Sequence, residues 1–294
     1  MKKIIYKLIN RLGYRIENKK NKYLESIKLL SKYQTLDNFN ELVLAKNYIL
    51  NLQSRYVDFK IENHKEGFLV SFSNISMYVE SLEEFHILNE VFVNQDYNLI
   101  SNDKSVIIDI GTNIGTSAIF FSKLDFVEKI YAFEPLKDTF DQAQYNLKLN
   151  VNLHKVVSIK NFGLGSDDRE EVFMFNKKTK GNTGVRGRLS PSYSGARNFE
   201  KRMVQIKDAS IEIENILKET ENRKVVIKMD CGGAEYEIIE NLKASKLLNN
   251  IDILMIEWHD KGAKSIEDIL KEFDFESFSL RLGPISGMIY AKKS

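Results

Sequence analysis

Two glycines four positions apart, Gly111 and Gly115, lie in the run 106–117, VIIDIGTNIGTS. Val106, Ile107, Ile108 and Ile110 read as a short strand buried on both faces, with Asp109 near its end, and AIFF then starts a helix. A buried strand, a glycine turn and a helix N-terminus bring unpaired N–H groups close to a ligand, as a nucleotide site requires. The spacing is Gly-x-x-x-Gly. It is neither the Gly-x-Gly-x-x-Gly of dinucleotide binders nor a P-loop ending in Gly-Lys-Ser/Thr. Glu134 comes 25 positions after Asp109, at the end of the next apolar run, where an acid can accept hydrogen bonds from both ribose hydroxyls of an adenosine. Asp109, the glycine turn, Glu134, the turn 163–168 and Asp230 all fall at carboxyl ends of expected strands, where open α/β sheets bind their ligands. Taken singly, each has a plainer reading, such as a glycine turn or a helix-start acid before Pro135. Their convergence carries the argument.

Holding these residues together requires strands that alternate with helices, and the sequence supplies them from Ser105 onward. Apolar runs predict strands at 105–110, 129–133, 156–162, 224–229 and 251–256. Helices are expected at 114–123, 137–150, 211–220, 234–248 and 265–273. The last two strand-like runs, 276–282 and 287–292, are joined by Gly283-Pro284-Ile285-Ser286. So tight a link cannot make a parallel crossover, so the pair must form an antiparallel hairpin. The result is an α/β fold with a mostly parallel seven-stranded sheet, the arrangement that Rossmann-like methyltransferases have and ordinary dehydrogenases lack. Between 166 and 206, EVFMF and RMVQI bracket a glycine-rich basic loop with Lys177, Lys178, Lys180, Arg186, Arg188 and Arg197, which reads as a lid closing over an anionic acceptor. Residues 1–100 differ from the rest, with helical pieces at 23–33, 37–52 and 83–93 and the alternating patch FLVSFSNISMYVE. They read as a mostly helical, substrate-side α/β cap on a second domain, 101–294.

With 294 residues, 43% of them hydrophobic, and only 3 prolines, the chain can bury a sizeable core without long disordered linkers. A net charge of +2 gives no polyanion-binding balance, so nucleic acid is not an expected partner. Cys231 is the single cysteine, which rules out an intrachain disulfide and speaks against a cysteine zinc site; a reducing, cytoplasmic setting is therefore expected. No signal-peptide pattern fits the start, and no segment reaches the roughly 20 apolar residues of a membrane span. In the first 24 residues eight Lys or Arg face one acid, Glu17, and Ile4, Ile5, Leu8, Ile9 and Leu12 recur at helical spacing. Such a basic amphipathic helix could touch an anionic membrane peripherally or dock on its own domain.

The segments VIIDIGTNIGTSAIFFSK, IYAFEPLKDTFDQAQYNLKLN, GLGSDDRE and VVIKMDCGGAEYEIIENL, then MIEWH, resemble the successive motifs of FkbM-family methyltransferases. The resemblance spans about 83–259. It implies an S-adenosylmethionine (SAM)-dependent enzyme, typically an O-methyltransferase of sugars and other secondary metabolites, with a small-molecule or glycan acceptor. It also implies that Asp109, Gly111, Asn113 and Gly115 line the methionine part of SAM, that Glu134 holds the ribose, and that Asp167 contacts the adenine. Lys228 and Asp230 would face the donor methyl, and their alternation puts both on one face of a strand.

Methyl transfer to a sugar hydroxyl calls for alignment of the acceptor oxygen and removal of its proton. Asp230 and His259 are the candidate bases, although a histidine hydrogen-bonded at a strand end would look the same in sequence. No His-Glu-x-x-His or similar spacing is present, so no metal is expected. The Asn/Asp-Pro-Pro-aromatic and Pro-Cys motifs of DNA methyltransferases are absent too. One departure stands out: the family commonly has an acid where this chain has Gly232. That acid either handles the acceptor, in which case the protein is an impaired SAM-binding scaffold or uses another base, or it only caps a helix, where glycine costs a few tenths of a kcal/mol.

Overall fold

The computed structural model describes residues 19–151, 156–177, 180, 199–220 and 223–294, with Ile9 and Arg11. The basic N-terminal helix and most of the basic loop expected from the sequence lie outside the described residues. Strands β1 (Lys60–His64), β2 (Gly67–Phe72) and β3 (Ile75–Val79) form an antiparallel sheet after three helices, α1 (Lys19–Leu29), α2 (Phe39–Leu44) and α3 (Lys46–Arg55). Helix α4 (Leu82–Asn89), with the Ser81 side chain accepting from the Glu84 amide at its start, runs straight into a π-helical turn, Glu90–Asn94. The expected helix 83–93 is therefore two pieces. Gln95, with φ +60°, ends the turn.

The central sheet has β4 (Ser105–Ile110), β5 (Val127–Phe133), β6 (Val156–Lys160), β10 (Lys224–Met229), β11 (Ile253–His259), β12 (Phe275–Arg281) and β13 (Ser286–Lys293), in the order β12-β13-β11-β10-β4-β5-β6. Five adjacent strands, β11-β10-β4-β5-β6, are parallel, and β12–β13 is the antiparallel hairpin, β13 pairing antiparallel with β11. This is the Rossmann-like methyltransferase sheet that the sequence predicts. Helices α5 (Thr116–Ser122), α6 (Lys137–Leu149), α7 (Ala209–Leu217), α8 (Glu235–Ala244) and α9 (Lys264–Glu272) connect the strands. Strand β4 is buried along its whole length and feeds two cores by alternation: Ile107 packs with the N-terminal elements, while Val106, Ile108 and Ile110 pack on the opposite face.

The predicted strand 156–162 stops at Lys160. The Asn161 side-chain amide donates to the carbonyls of Glu134 (3.0 Å) and Pro135 (3.1 Å) and turns the chain into a separate sheet. There β7 (Gly163–Gly165) pairs parallel with β9 (Glu200–Asp208), and β8 (Arg169–Phe175) pairs antiparallel with it, so the two pieces that bracket the loop are strand partners.

Helix α6 joins the N-terminal sheet to the glycine turn. Gln142, Asn146 and Asn150 stand four residues apart on one face and bond the backbone of β3: Asn146 Oδ1 accepts from the Tyr78 amide (2.7 Å), Asn150 Oδ1 from the Ser76 amide (2.9 Å), and Gln142 Nε2 donates to the Tyr78 carbonyl (3.0 Å). Asn146 Nδ2 also donates to the Ile114 carbonyl (2.9 Å). A polar helix stripe thus satisfies a strand edge that would otherwise be buried unpaired.

Candidate active site

A cavity of about 220 Å³ opens at the carboxyl ends of β4, β5, β10 and β11. Its walls come from the glycine turn (Gly111, Thr112, Asn113), Glu134, Lys228, Asp230, Glu257 and His259, and, from the N-terminal region, Glu83, His86, Glu90 and Tyr97.

The turn has the shape that its glycines dictate. Gly111 adopts φ +78°, and a Cβ there would come within 1.9 Å of the Asp230 carbonyl oxygen, so no side chain fits. Gly115 (φ +86°) lets α5 start against Ala143, and Asn113 (φ +53°) tolerates the left-handed region by accepting the Ile114 amide at its own Oδ1 (2.7 Å).

Lys228 is the neighbour of Asp109 across the β10–β4 ladder, and that register makes an ion pair of 3.1 Å between groups that are 2% and 0% exposed. Lys228 Nζ also donates to the Gly111 carbonyl (2.7 Å), and Asp109 Oδ2 accepts from Ser117 Oγ (2.6 Å). Burial pulls the Lys228 pKa down, but Asp109 and Asp230 more than offset this, and the net shift is upward. Lys228 is a fixed cation, not a proton acceptor.

Glu134, equally buried, accepts the amides of Asn113 at Oε2 (3.1 Å) and Leu136 at Oε1 (3.0 Å). Burial raises its pKa to about 7 against those two bonds and the charge of Lys228, with Asp109 adding to the rise. Each carboxylate oxygen keeps a lone pair free for a ligand hydroxyl.

Across the cavity, the Glu235 carboxylate at the start of α8 takes both the Cys231 amide (3.2 Å) and His259 Nδ1 (2.8 Å) at Oε1. His259 Nε2 lies 3.5 Å from Glu257 Oε1 and 4.0 Å from Asp230 Oδ1. Burial works to lower the His259 pKa, and the bonds to Glu235 and Glu257, with the charges of Glu235 and Asp230, overcome it and raise the value to about 10. His259 holds its proton at neutral pH. Burial and the neighbouring Asp230 raise Glu257 to about 7. Asp230, Glu235 and His259 each bring one ligand atom within 4.8 Å of the others, compact enough for a metal ion, which would have to displace the His259 proton.

Of the residues singled out in the sequence, Gly111, Asn113, Glu134, Lys228, Asp230 and His259 meet at this cavity. Asp109 and Gly115 stand just behind its wall, one buried under Lys228 and the other under α6. Asp167 points elsewhere: its side chain is 64% exposed and bonds Ser166 Oγ (2.7 Å) and Arg169 (3.1 Å), while Leu164 and Glu237 line that end of the cavity. Trp258 alternates to the face opposite Glu257 and His259 and packs against Gly287. Sequence reasoning expected a substrate-side cap from residues 1–100 but assigned no role to Glu235 or Glu257 and did not pick out Glu83, His86, Glu90 and Tyr97 as its cavity-facing residues. Glu257 had a signal, since it stands two residues from His259 and therefore on the same strand face.

The methyltransferase FkbM domain model matches residues 109–277. Methyltransferase 1 of Beauveria bassiana is 27% identical over 173 residues, covering 55% of this chain and 68% of the relative. Among solved structures, methyltransferase FkbM from Methylobacillus flagellatus superposes with a TM-score of 0.43 at 11% identity, covering 86% of this chain and 60% of that one. The SAM-dependent methyltransferase from Agrobacterium tumefaciens does so with a TM-score of 0.41 at 8% identity, covering 79% and 71%. This chain therefore spans 60% of the length of the Methylobacillus protein. With more than half of its residues matched to the domain model, the chain belongs to the FkbM family of SAM-dependent methyltransferases.

Proposed function

We propose that the protein methylates a sugar hydroxyl oxygen in a glycan, nucleotide sugar or secondary metabolite, with Asp230 taking the hydroxyl proton. The observation that carries this reading is the pair of facing walls: a glycine turn with Glu134 on one side, and on the other a half-exposed carboxylate, Asp230, 4.0 Å from a protonated histidine. SAM, when bound, supplies an electrophilic methyl group.

The residues present suit that donor. Thr112 and Thr116, each 1% exposed, line the cavity with hydroxyls that have no hydrogen-bond partner among the described residues, and Gly111 leaves the backbone bare. Glu134 would hold the ribose, and Asn113 and the Thr112 and Thr116 hydroxyls the adjoining polar groups. Lys228 fixes the turn by gripping the Gly111 carbonyl and neutralises Asp109. Asp230 accepts the acceptor proton at a carboxylate oxygen, and the His259 imidazolium, pinned by Glu235, offers the balancing charge as the hydroxyl oxygen loses its proton. Residues 1–100 would act as the acceptor-side cap in a cytoplasmic, small-molecule or glycan-modifying enzyme. Among the described residues no helix is long and apolar enough to cross a membrane.

The test is calorimetric titration with SAM and S-adenosylhomocysteine, followed by methyl transfer from labelled SAM to a panel of nucleotide sugars and glycans. Turnover on a sugar hydroxyl that fails in Asp230→Asn supports the reading. Tight SAM binding without transfer to any acceptor favours a scaffold, a second reading motivated by Gly232, which stands at φ +61° where the family commonly carries an acid.

A further inference from the structure

We propose that Tyr97 is a positioning residue of the active site: its hydroxyl aims the Asp230 carboxylate at the acceptor, and its ring covers the Lys228–Asp109 ion pair. The assignment rests on Asp230 being the proton acceptor.

Tyr97 lies outside the residues 109–277 matched by the domain model, yet it lines the same cavity as Lys228 and Asp230 and is only 6% exposed. Its hydroxyl donates to Asp230 Oδ2 (3.3 Å), and Lys228 Nζ sits 5.2 Å from the centre of its ring. One side chain therefore touches both charged residues that β10 sends into the cavity. The other charged groups around Asp230 are Lys228, the His259 imidazolium, 4.0 Å from Oδ1, and Glu257 beyond it, so the Tyr97 hydroxyl gives Asp230 its directional contact, at Oδ2, while His259 balances charge on the side of the other oxygen. A hydrogen bond to one oxygen restricts rotation of the carboxylate, which is what alignment of a proton acceptor needs.

Local structure explains how a residue so far away in sequence arrives there. The π-helical turn Glu90–Asn94 widens the end of α4, and the left-handed Gln95 then reverses the chain. Two tyrosines clamp the segment from either side: Tyr56 OH donates to the Phe92 carbonyl (2.8 Å), and Tyr290 OH to the Asp96 carbonyl (2.9 Å). A π turn inserted in a helix is a recurring device at functional sites, because the extra residue re-aims the chain beyond it. Here the side chain delivered to the cavity by that re-aiming is Tyr97. Burial and the nearby Asp230 also raise its pKa well above the usual value, so the hydroxyl keeps the proton that it donates.

Tyr97→Phe and Tyr97→Leu test the assignment, with S-adenosylhomocysteine as the probe at a fixed pH of about 7.5. Two readouts are taken for each protein: the dissociation constant and the side-chain carboxyl ¹³C resonance of Asp230, assigned with Asp230→Asn. Tyr97→Phe should bind within about threefold of wild type and move the Asp230 resonance, because only the hydrogen bond is lost. Tyr97→Leu should move the resonance and also bind about tenfold more weakly, since the cover over Lys228 is gone. An unmoved Asp230 resonance in Tyr97→Phe overturns the assignment, as does an equal effect of the two variants on both readouts. Wild-type protein that fails to bind S-adenosylhomocysteine at all would instead remove the functional reading on which the proposal stands.

Discussion

The cavity has two walls built by different means. The sheet-side wall consists of strand ends whose register is set by the ladder: Lys228 meets Asp109 because β10 and β4 pair there, and Glu134 meets Asn113 because β5 ends beside the turn. The N-terminal wall hangs from α4, a π-helical turn and a left-handed residue, and is tied down by side chains from elsewhere, namely Tyr56, Tyr290 and the stripe on α6. Parallel ladder bonds leave the first wall little freedom. The second wall is placed by side-chain packing and hydrogen bonds from helices and a turn, not by strand pairing.

The costliest place to break the molecule is therefore the ladder-set ion pair. Asp109→Asn should leave Lys228 buried with a lost counter-charge and destabilise the fold by about 3–5 kcal/mol. Urea unfolding measures it, and a loss near zero would mean that the pair is dispensable to the sheet-side wall. The tie between the walls is the next target. Asn146→Ala strands the Tyr78 amide and the Ile114 carbonyl, at a cost of about 1–3 kcal/mol. Hydrogen exchange should show β3 and the glycine turn loosening together, whereas loosening of β3 alone would show that Asn146 does not couple them.

Ligand binding sharpens the comparison from the sheet side. Glu134→Ala should weaken S-adenosylhomocysteine by about 1–3 kcal/mol, the size of lost charge-assisted hydrogen bonds. Only ionised Glu134 can accept at every lone pair, and its pKa of about 7 places the change inside an accessible range. The ligand should therefore bind about tenfold more tightly at pH 8 than at pH 6, with Asp109 and Lys228 as the charged neighbours that set the midpoint. Folding stability runs the other way. A carboxyl raised from 4.5 to about 7 by folding favours the native state fully below its unfolded value and loses that contribution as pH rises through about 7. Calorimetric titration of S-adenosylhomocysteine into Glu134→Gln from pH 6 to 8 should give a nearly flat affinity profile, and an affinity profile that keeps the wild-type slope would assign that titration to Glu257, whose pKa is also about 7.

Legibility in the sequence divides along the same line. Continuous apolar runs gave away the five parallel strands, and period-two alternation put Lys228 and Asp230 on one face. Glu134 could be placed because it closes the apolar run that follows the glycine turn, at the carboxyl end of the strand beside β4. Nothing comparable marks Tyr97, Glu90 or His86, since a helical pattern does not announce a π turn and so cannot say which side chains face the cavity. The α6 stripe was hidden for a different reason: Gln142, Asn146 and Asn150 look like a solvated face until a strand edge is found against them. Asp167 is not among the residues lining the cavity: its exposed side chain pairs with Ser166 and Arg169, and a turn at a strand end does not tell from sequence which of its side chains faces inward.

The smallest expected effect concerns the position where the chain departs from its family. Gly232 and Gly233 have φ of +61° and +111°, so the turn into α8 is built on left-handed backbone at both residues. A side chain at 232 can be accommodated only with about 1–2 kcal/mol of strain, which is more than a change of helix cap would cost. Gly232→Glu should therefore lower the unfolding free energy by about 1–2 kcal/mol and leave S-adenosylhomocysteine affinity nearly unchanged, because Glu134, proposed to hold the ribose, sits at the end of another strand, β5. Its effect on turnover separates two roles of the sheet-side wall. A gain shows that an acid at 232 adds to Asp230 and His259 in handling the acceptor. Unchanged turnover in a folded variant shows that those two residues suffice, and that glycine is there for the backbone.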